Sequence, residues 1–366
     1  MLDETLLDDA DALATQDRDG LLRACALGGA QVRATLEAIT DADLAQQWAD
    51  AKPRALVLID RPGIGAGVNE LLLALLGEQC PIPVLRAPQA PSWVGPLDVV
   101  FAHSADPVDM VLARSIDRGG RRGARILLAG QTEGPLAAAA AGNAVLVTPH
   151  VAVPPGYGYP AALANGLALL GVLGLYRGDV DVLADALDLE AQRCSPSVES
   201  FVNPAKSLAL RLTERLPLLW GVDPLADAVV THAAEVLAAR AALVCDAAPY
   251  SQAVTRWALH ARAQRESGAA GVFADPFADP EPTTAALRMF LFSVEQSIEA
   301  LTLRSSIEAA LPAADVVSTA DEPDGTPVEV SAACLALRLE MAAVYLGLAE
   351  HTIGGPGRAA CTAIGE

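Results

Sequence analysis

Gly63, Gly65 and Gly67 fall in the stretch LVLIDRPGIGAGVNELL, residues 56–72, where an apolar run ends in a turn carrying Arg61 and leads into a helical pattern. Such a strand, turn and helix can cradle a phosphate. The first-turn N–H groups and the positive dipole end of the helix point out of the carboxyl edge of the strand. A dinucleotide fingerprint would read G-x-G-x-x-G with an acid closing the second strand. Here the spacing is G-x-G-x-G and the second strand ends in Arg86, a residue that would suit only a 2′-phosphate, as in NADP. A triphosphate loop needs Gly-Lys-Ser or Gly-Lys-Thr, and no lysine stands near the turn. A third reading draws on several loops of the same half rather than on one turn.

Other reactive residue types carry less. The serine runs RCSPSVES and SADPVDM lie outside any G-x-S-x-G turn, so they do not make a nucleophile by motif. The loops DPFADPEP (275–282) and ADEPDGTP (320–327) read as turn punctuation rather than metal loops. Cys25, Cys80, Cys194, Cys245, Cys334 and Cys361 show no Cys-x-x-Cys spacing and are expected as reduced thiols. Neither a metal nor a cofactor is expected. His150, His232, His260 and His351 read as structural.

The elements that must position the glycine turn follow from periodicity. Short apolar runs at 54–60, 82–87, 97–104, 124–130 and 144–150 alternate with helical stretches, the pattern of a parallel sheet covered on both faces. One or two helices are expected before them, including a helical pattern over 19–39. The apolar run at 162–176 reads as a buried helix, and no apolar run is expected to span a membrane. A second cycle follows: helices at 179–193 and 199–215, strands at 217–221, 242–246, 271–275, 287–293 and 315–320, and a closing helix at 328–351. The predicted fold is α/β, with two three-layer αβα domains at 1–178 and 179–366, each holding a mostly parallel five-stranded sheet.

The chain has 366 residues, enough for two cores, and a formal charge of −20 from 45 acids against 25 bases. That charge disfavours nucleic acid and anionic membranes as partners. A small anion would need a site built by local geometry. The first eleven residues hold five acids and no basic segment before an apolar run, so a cytoplasmic location is expected.

The strand and glycine turn at 55–67, the segment IPVLRAPQAPSWV (82–94), the loops after 102 and 129, and FVNPAKSLALRLTERLPLLWG (201–221) occur in the order and spacing of a known family. The chain resembles the sugar isomerase (SIS) family, within it the two-domain bifunctional phosphoglucose/phosphomannose isomerases. Asn203-Pro204-Ala205-Lys206 is the most specific match. The resemblance implies a homodimer and a sugar phosphate held by Arg61, Gly63, Gly65, His103, Ser104, Thr132 and Gly134. It also marks departures. Gly65 stands at the place of the family's sugar-seating serine. In Ala102-His103-Ser104-Ala105-Asp106-Pro107 a proline replaces a threonine and Asp106 brings a negative charge, or else caps a helix starting at Pro107. Tyr159-Pro160-Ala161-Ala162 lacks the family's arginine.

Aldose–ketose isomerisation needs a base near the enediol and a cation for the developing negative charge. The family's glutamate falls near Ala239, and Glu235, one turn earlier, is the local replacement. The family's histidine has no counterpart in DAAPYSQAV, and no lysine follows Lys206. The expectation is a sugar-phosphate-binding protein with degenerate isomerase machinery. The alternatives are an active isomerase with relocated groups such as Glu235, or a structural partner whose pocket is empty.

Overall fold

A computed structural model describes residues 3–354 apart from 149, 214, 270–286, 313 and 320–324, and omits the side chains of 266–269. Helices α1 (Glu4–Leu7), α2 (Ala10–Gln16), α3 (Leu21–Ala26), α4 (Gly28–Asp41) and α5 (Leu44–Gln47) come first. The expected helix over 19–39 is therefore broken before Gly28, and the entry segment holds more helices than expected.

Strands β1 (Ala55–Ile59), β2 (Val84–Ala87), β3 (Asp98–His103), β4 (Arg125–Ala129) and β5 (Val145–Val147) alternate with α6 (Ile64–Leu76), α7 (Met110–Arg121) and α8 (Gly134–Ala140). All pairings are parallel, in the order β2-β1-β3-β4-β5. β1 is buried along its whole length, and β3 and β4 nearly so, because helices cover both faces and leave no solvent-facing row to be polar. Val57, Val100, Leu112, Ile116, Ile126, Leu128 and Leu136 form the core on one side. The apolar helix expected at 162–176 is α9 (Tyr159–Val172), buried over most of its length.

Then follow α10 (Val180–Arg193), α11 (Pro204–Leu212), β6 (Leu216–Gly221), α12 (Pro224–Ala241), β7 (Asp246–Pro249), α13 (Tyr250–Ala253), α14 (Trp257–Ala269), β8 (Leu287–Ser293), α15 (Ile298–Ala310), β9 (Asp315–Ser318) and α16 (Val328–Ala349). Among the described residues the second sheet has four strands, all parallel, in the order β7-β6-β8-β9. It repeats the order of the first four strands of the first sheet. The expected strand at 271–275 lies outside the described residues. The one expected at 242–246 begins only at Asp246. α12 runs on to Ala241 and leaves through a left-handed Ala242 (φ 54°), and pairing starts at Leu218 opposite Asp246. The helix expected at 199–215 starts at Pro204, because the Asn203 side chain accepts from the N–H groups of Ala205 and Lys206 and fixes the cap there.

The chain forms two compact units, one of Arg23–Ala191, the other of the described residues up to Leu22 with those from Gln192 onward. This differs from the expected division after residue 178, for local reasons at both ends. α10 packs on α4, where a Cβ on Gly29 would lie 2.5 Å from the Ala184 carbonyl. Arg33 forks onto Asp185 and Asp188 of the same helix at 2.6 and 2.7 Å. The first helices belong with α16 instead: Asp3 N–H donates to the Ala349 carbonyl, and the Asp8 carboxylate accepts from both the N–H and the hydroxyl of Ser200.

By length and composition α16 could cross a membrane, which corrects the expectation that no run would reach that length. It is the core helix of its unit. From Glu329 to Ala349 every residue is buried within the fold.

Candidate ligand-binding crevice

In the first sheet β1 connects to β2 on one side while β3 pairs on the other, so the strand order reverses between the loops leaving β1 and β3, the place where this topology puts a ligand crevice. Parallel sheets bind ligands at such switch points. The glycine turn lies there. Gly63 takes φ 92° and ψ −149°, backbone territory reserved for glycine, and gives α6 no side-chain cap. The N–H groups of Ile64, Gly65 and Ala66 therefore have no acceptor within the helix. A Cβ on Gly65 would sit 3.5 Å from the His103 carbonyl and 3.9 Å from its Nδ1, so the two loops abut. Gly63→Ala should lower stability by about 1–3 kcal/mol from backbone strain, read as a lower urea midpoint at unchanged slope.

The charges of this crevice are already matched. The Arg61 guanidinium forks onto both carboxylate oxygens of Asp109, Nε at 2.6 Å and Nη2 at 3.0 Å, and donates to the Pro88 carbonyl at 3.3 Å. The pair is 16% and 7% exposed, so solvent does little to loosen it. Asp109 is also the N-cap of α7, accepting from Leu112 N–H at 2.9 Å. That corrects the expected cap at Asp106, whose carboxylate instead accepts from Val108 N–H. The Ser104 hydroxyl turns into its own loop, donating to the Asp106 carbonyl and accepting from Asp106 N–H. Arg86, the residue that would suit a 2′-phosphate, pairs with Asp60 at 3.0 Å and Glu70 at 3.4 Å. His103 is half-buried, and burial pushes its imidazolium down to about 4, so at neutral pH it offers hydrogen bonding without charge.

The loop after β4 docks on the loop after β3. Gly134 has φ 92°, and a Cβ there would lie 2.8 Å from the Pro107 carbonyl, which accepts from Leu136 N–H. Thr132 and Gly134 are exposed and line an open groove of about 460 Å³ along α8 and β5, with Ala137, Ala141 and Leu146. Arg61, Gly63, Gly65, His103 and Ser104 do not line that groove. The expected ligand residues thus divide between the crevice and its neighbour.

In the second unit the corresponding switch point, between β6 and β8, holds Asp223. Its carboxylate accepts from Ala226 N–H in the first turn of α12 and from Val294 N–H and Glu295 N–H after β8, at 2.9, 2.8 and 3.2 Å. Burial, and then the Asp223 charge, raise the Glu295 carboxyl above its ordinary value. Glu235 lies on the exposed face of α12. The buried face carries His232 and Arg240, both against Glu340: His232 Nε2 at 2.9 Å and Arg240 Nη2 at 3.6 Å from Oε1. His260 stacks on Trp220 at 5.7 Å between ring centroids. Lys206 is fully buried, its ammonium donating to the carbonyls of Pro196 and Val198 at 2.7 Å. The Asn203 to Lys206 run is thus explained by a helix cap and a loop staple. Sequence reasoning missed Asp109, Asp223 and Glu340. Asp223-Pro224 before an apolar helical pattern was a usable cap signal, whereas Glu340 in an apolar helix showed no partner.

No protein-family model and no curated protein matches this chain. Solved structures do. The chain is similar to a protein of Silicibacter pomeroyi provisionally described as a phosphosugar isomerase, at 15% identity and TM-score 0.61, covering 90% of this chain and 97% of that one. It is similar to the C-terminal domain of glucosamine-fructose-6-phosphate aminotransferase from Francisella tularensis, at 8% identity and TM-score 0.62, covering 91% and 96%. A hypothetical protein from Thermus thermophilus gives 15% identity and TM-score 0.63, covering 94% and 89%. The likeness at these identities is one of fold: the chain shares the two-sheet α/β architecture of these structures.

Proposed function

We propose that this chain binds a carbohydrate derivative, a sugar phosphate, in the crevice at the carboxyl edge of the first sheet, and does not isomerise it. The observation that carries this reading is the uncapped start of α6 beside a neutral His103, at the switch point of a parallel sheet. Its first-turn N–H groups have no acceptor within the helix and can donate to ligand oxygens. The fold supports the same reading, since similar structures include proteins described by their action on phosphosugars.

Isomerisation asks for more than this crevice offers. A base must reach the carbons that exchange a proton, and a cation must face the developing oxyanion. Glu235 is exposed on α12, the Arg61 charge is matched by Asp109, and Lys206 is buried against two carbonyls. These placements weigh against the active-isomerase alternative.

Thermal unfolding with glucose 6-phosphate, fructose 6-phosphate and mannose 6-phosphate tests the reading. A ligand at a hundred times its Kd should stabilise by about 2.7 kcal/mol. No shift with any of the three overturns it. A coupled assay should show no interconversion. Turnover that falls on Glu235→Gln would establish the isomerase alternative instead.

A further inference from the structure

Asp109 makes the contacts that a bound anion makes. Both its oxygens take the fork of one guanidinium, and Oδ1 also accepts from Leu112 N–H in the first turn of α7. Arginine forks and helix N-termini are the general recognition elements for phosphate. Here a side chain of the protein itself fills that role. We propose that Asp109 sets the charge of the ligand the crevice admits, because a phosphate gains Arg61 only by displacing this carboxylate.

The surroundings make the competition decisive. Arg86 is already held between Asp60 and Glu70, and His103 is uncharged at neutral pH. Arg61 belongs to the glycine turn itself, so an anion at the start of α6 competes for it with Asp109, which is only 7% exposed and whose hold is therefore weakly screened. At the switch point of the other unit a carboxylate also takes helix-start and loop N–H groups, there from three backbone donors to Asp223.

This inference rests on the crevice being the binding site, and the test separates the two. Asparagine caps helices as well as aspartate does, so Asp109→Asn keeps the start of α7 while removing the charge. Calorimetric titrations would compare wild type, Asp109→Asn and the double variant Arg61→Gln/Asp109→Asn, each with glucose 6-phosphate, inorganic phosphate and glucose. Asp109→Asn should bind glucose 6-phosphate and phosphate at least about tenfold tighter than wild type, as expected for one freed charge-assisted contact, with glucose unchanged. The added Arg61→Gln should cancel the gain. If Asp109→Asn does not fold, Asp109→Ser, which also caps, carries the same comparison. Equal affinities for glucose 6-phosphate in a wild type that binds it, or a gain that survives Arg61→Gln, overturn the role of Asp109 and leave the crevice standing. No binding by any variant overturns both.

Discussion

Glu340→Gln is expected to destabilise the unit built on β6–β9 by about 3–5 kcal/mol, the cost of breaking a buried ion pair from one side. Glu340, His232 and Arg240 are 1%, 1% and 5% exposed, at the contact of α12 with α16. Glutamine keeps the shape and can still meet His232 Nε2, but it withdraws the charge facing Arg240. Hydrogen exchange from the amides of α12 and α16, with urea unfolding, would measure the loss. The pH dependence gives a second readout. Burial alone would raise the Glu340 carboxyl, yet the Arg240 charge and the His232 hydrogen bond outweigh it, so the group titrates below its ordinary value. Its folded-state pKa is lower than its unfolded one. The stability it contributes is therefore present above the ordinary glutamate range and is lost as pH falls through the lowered value. Glu340→Gln should flatten that acid limb. An acid limb identical to wild type would show that the carboxylate is not the group responsible.

Lys206→Ala is the second large effect, expected at about 3–5 kcal/mol from a lost buried side chain and two lost charge-assisted hydrogen bonds. The ammonium ties the Pro196 and Val198 carbonyls to α11 and lies 5.5 Å from the centre of the Tyr345 ring. Burial lowers its pKa, with Asp8 opposing, so the charge is held at some cost. Lys206→Met separates the two contributions, since it keeps the aliphatic stem and removes the donors. A Met variant as stable as wild type in urea would mean that packing, not the staple, is what Lys206 supplies.

The two variants bear on how the family resemblance should be used. Asn203-Pro204-Ala205-Lys206 is its most specific run, and both polar members serve folding, since Asn203 caps α11 and Lys206 closes the preceding loop. A motif that serves folding says little about whether the crevice binds a ligand. Arg61, Asp109 and His103 must answer that, which is why the titrations of Asp109→Asn address function where Lys206→Ala addresses stability.

What the sequence determined by itself was the local order. Five apolar runs in the first half became five parallel strands, because a strand covered on both faces must be apolar along its length. The glycine turn fell at the carboxyl edge of β1, as periodicity and glycine spacing required. These signals are short-range, and neighbouring residues suffice to read them. The tertiary structure alone decided the pairing of charges and the exchange of terminal helices. Arg61 meets Asp109 across 48 positions, and with 45 acids in the chain nothing local marks that one as its partner. α1 and α2 likewise join the unit of α16 through contacts such as Asp8 with Ser200, 192 positions apart. Long-range pairing depends on which surfaces the folded chain brings together, and that is how a glycine turn without a side-chain cap comes to lie beside an arginine already held by one of the protein's own carboxylates.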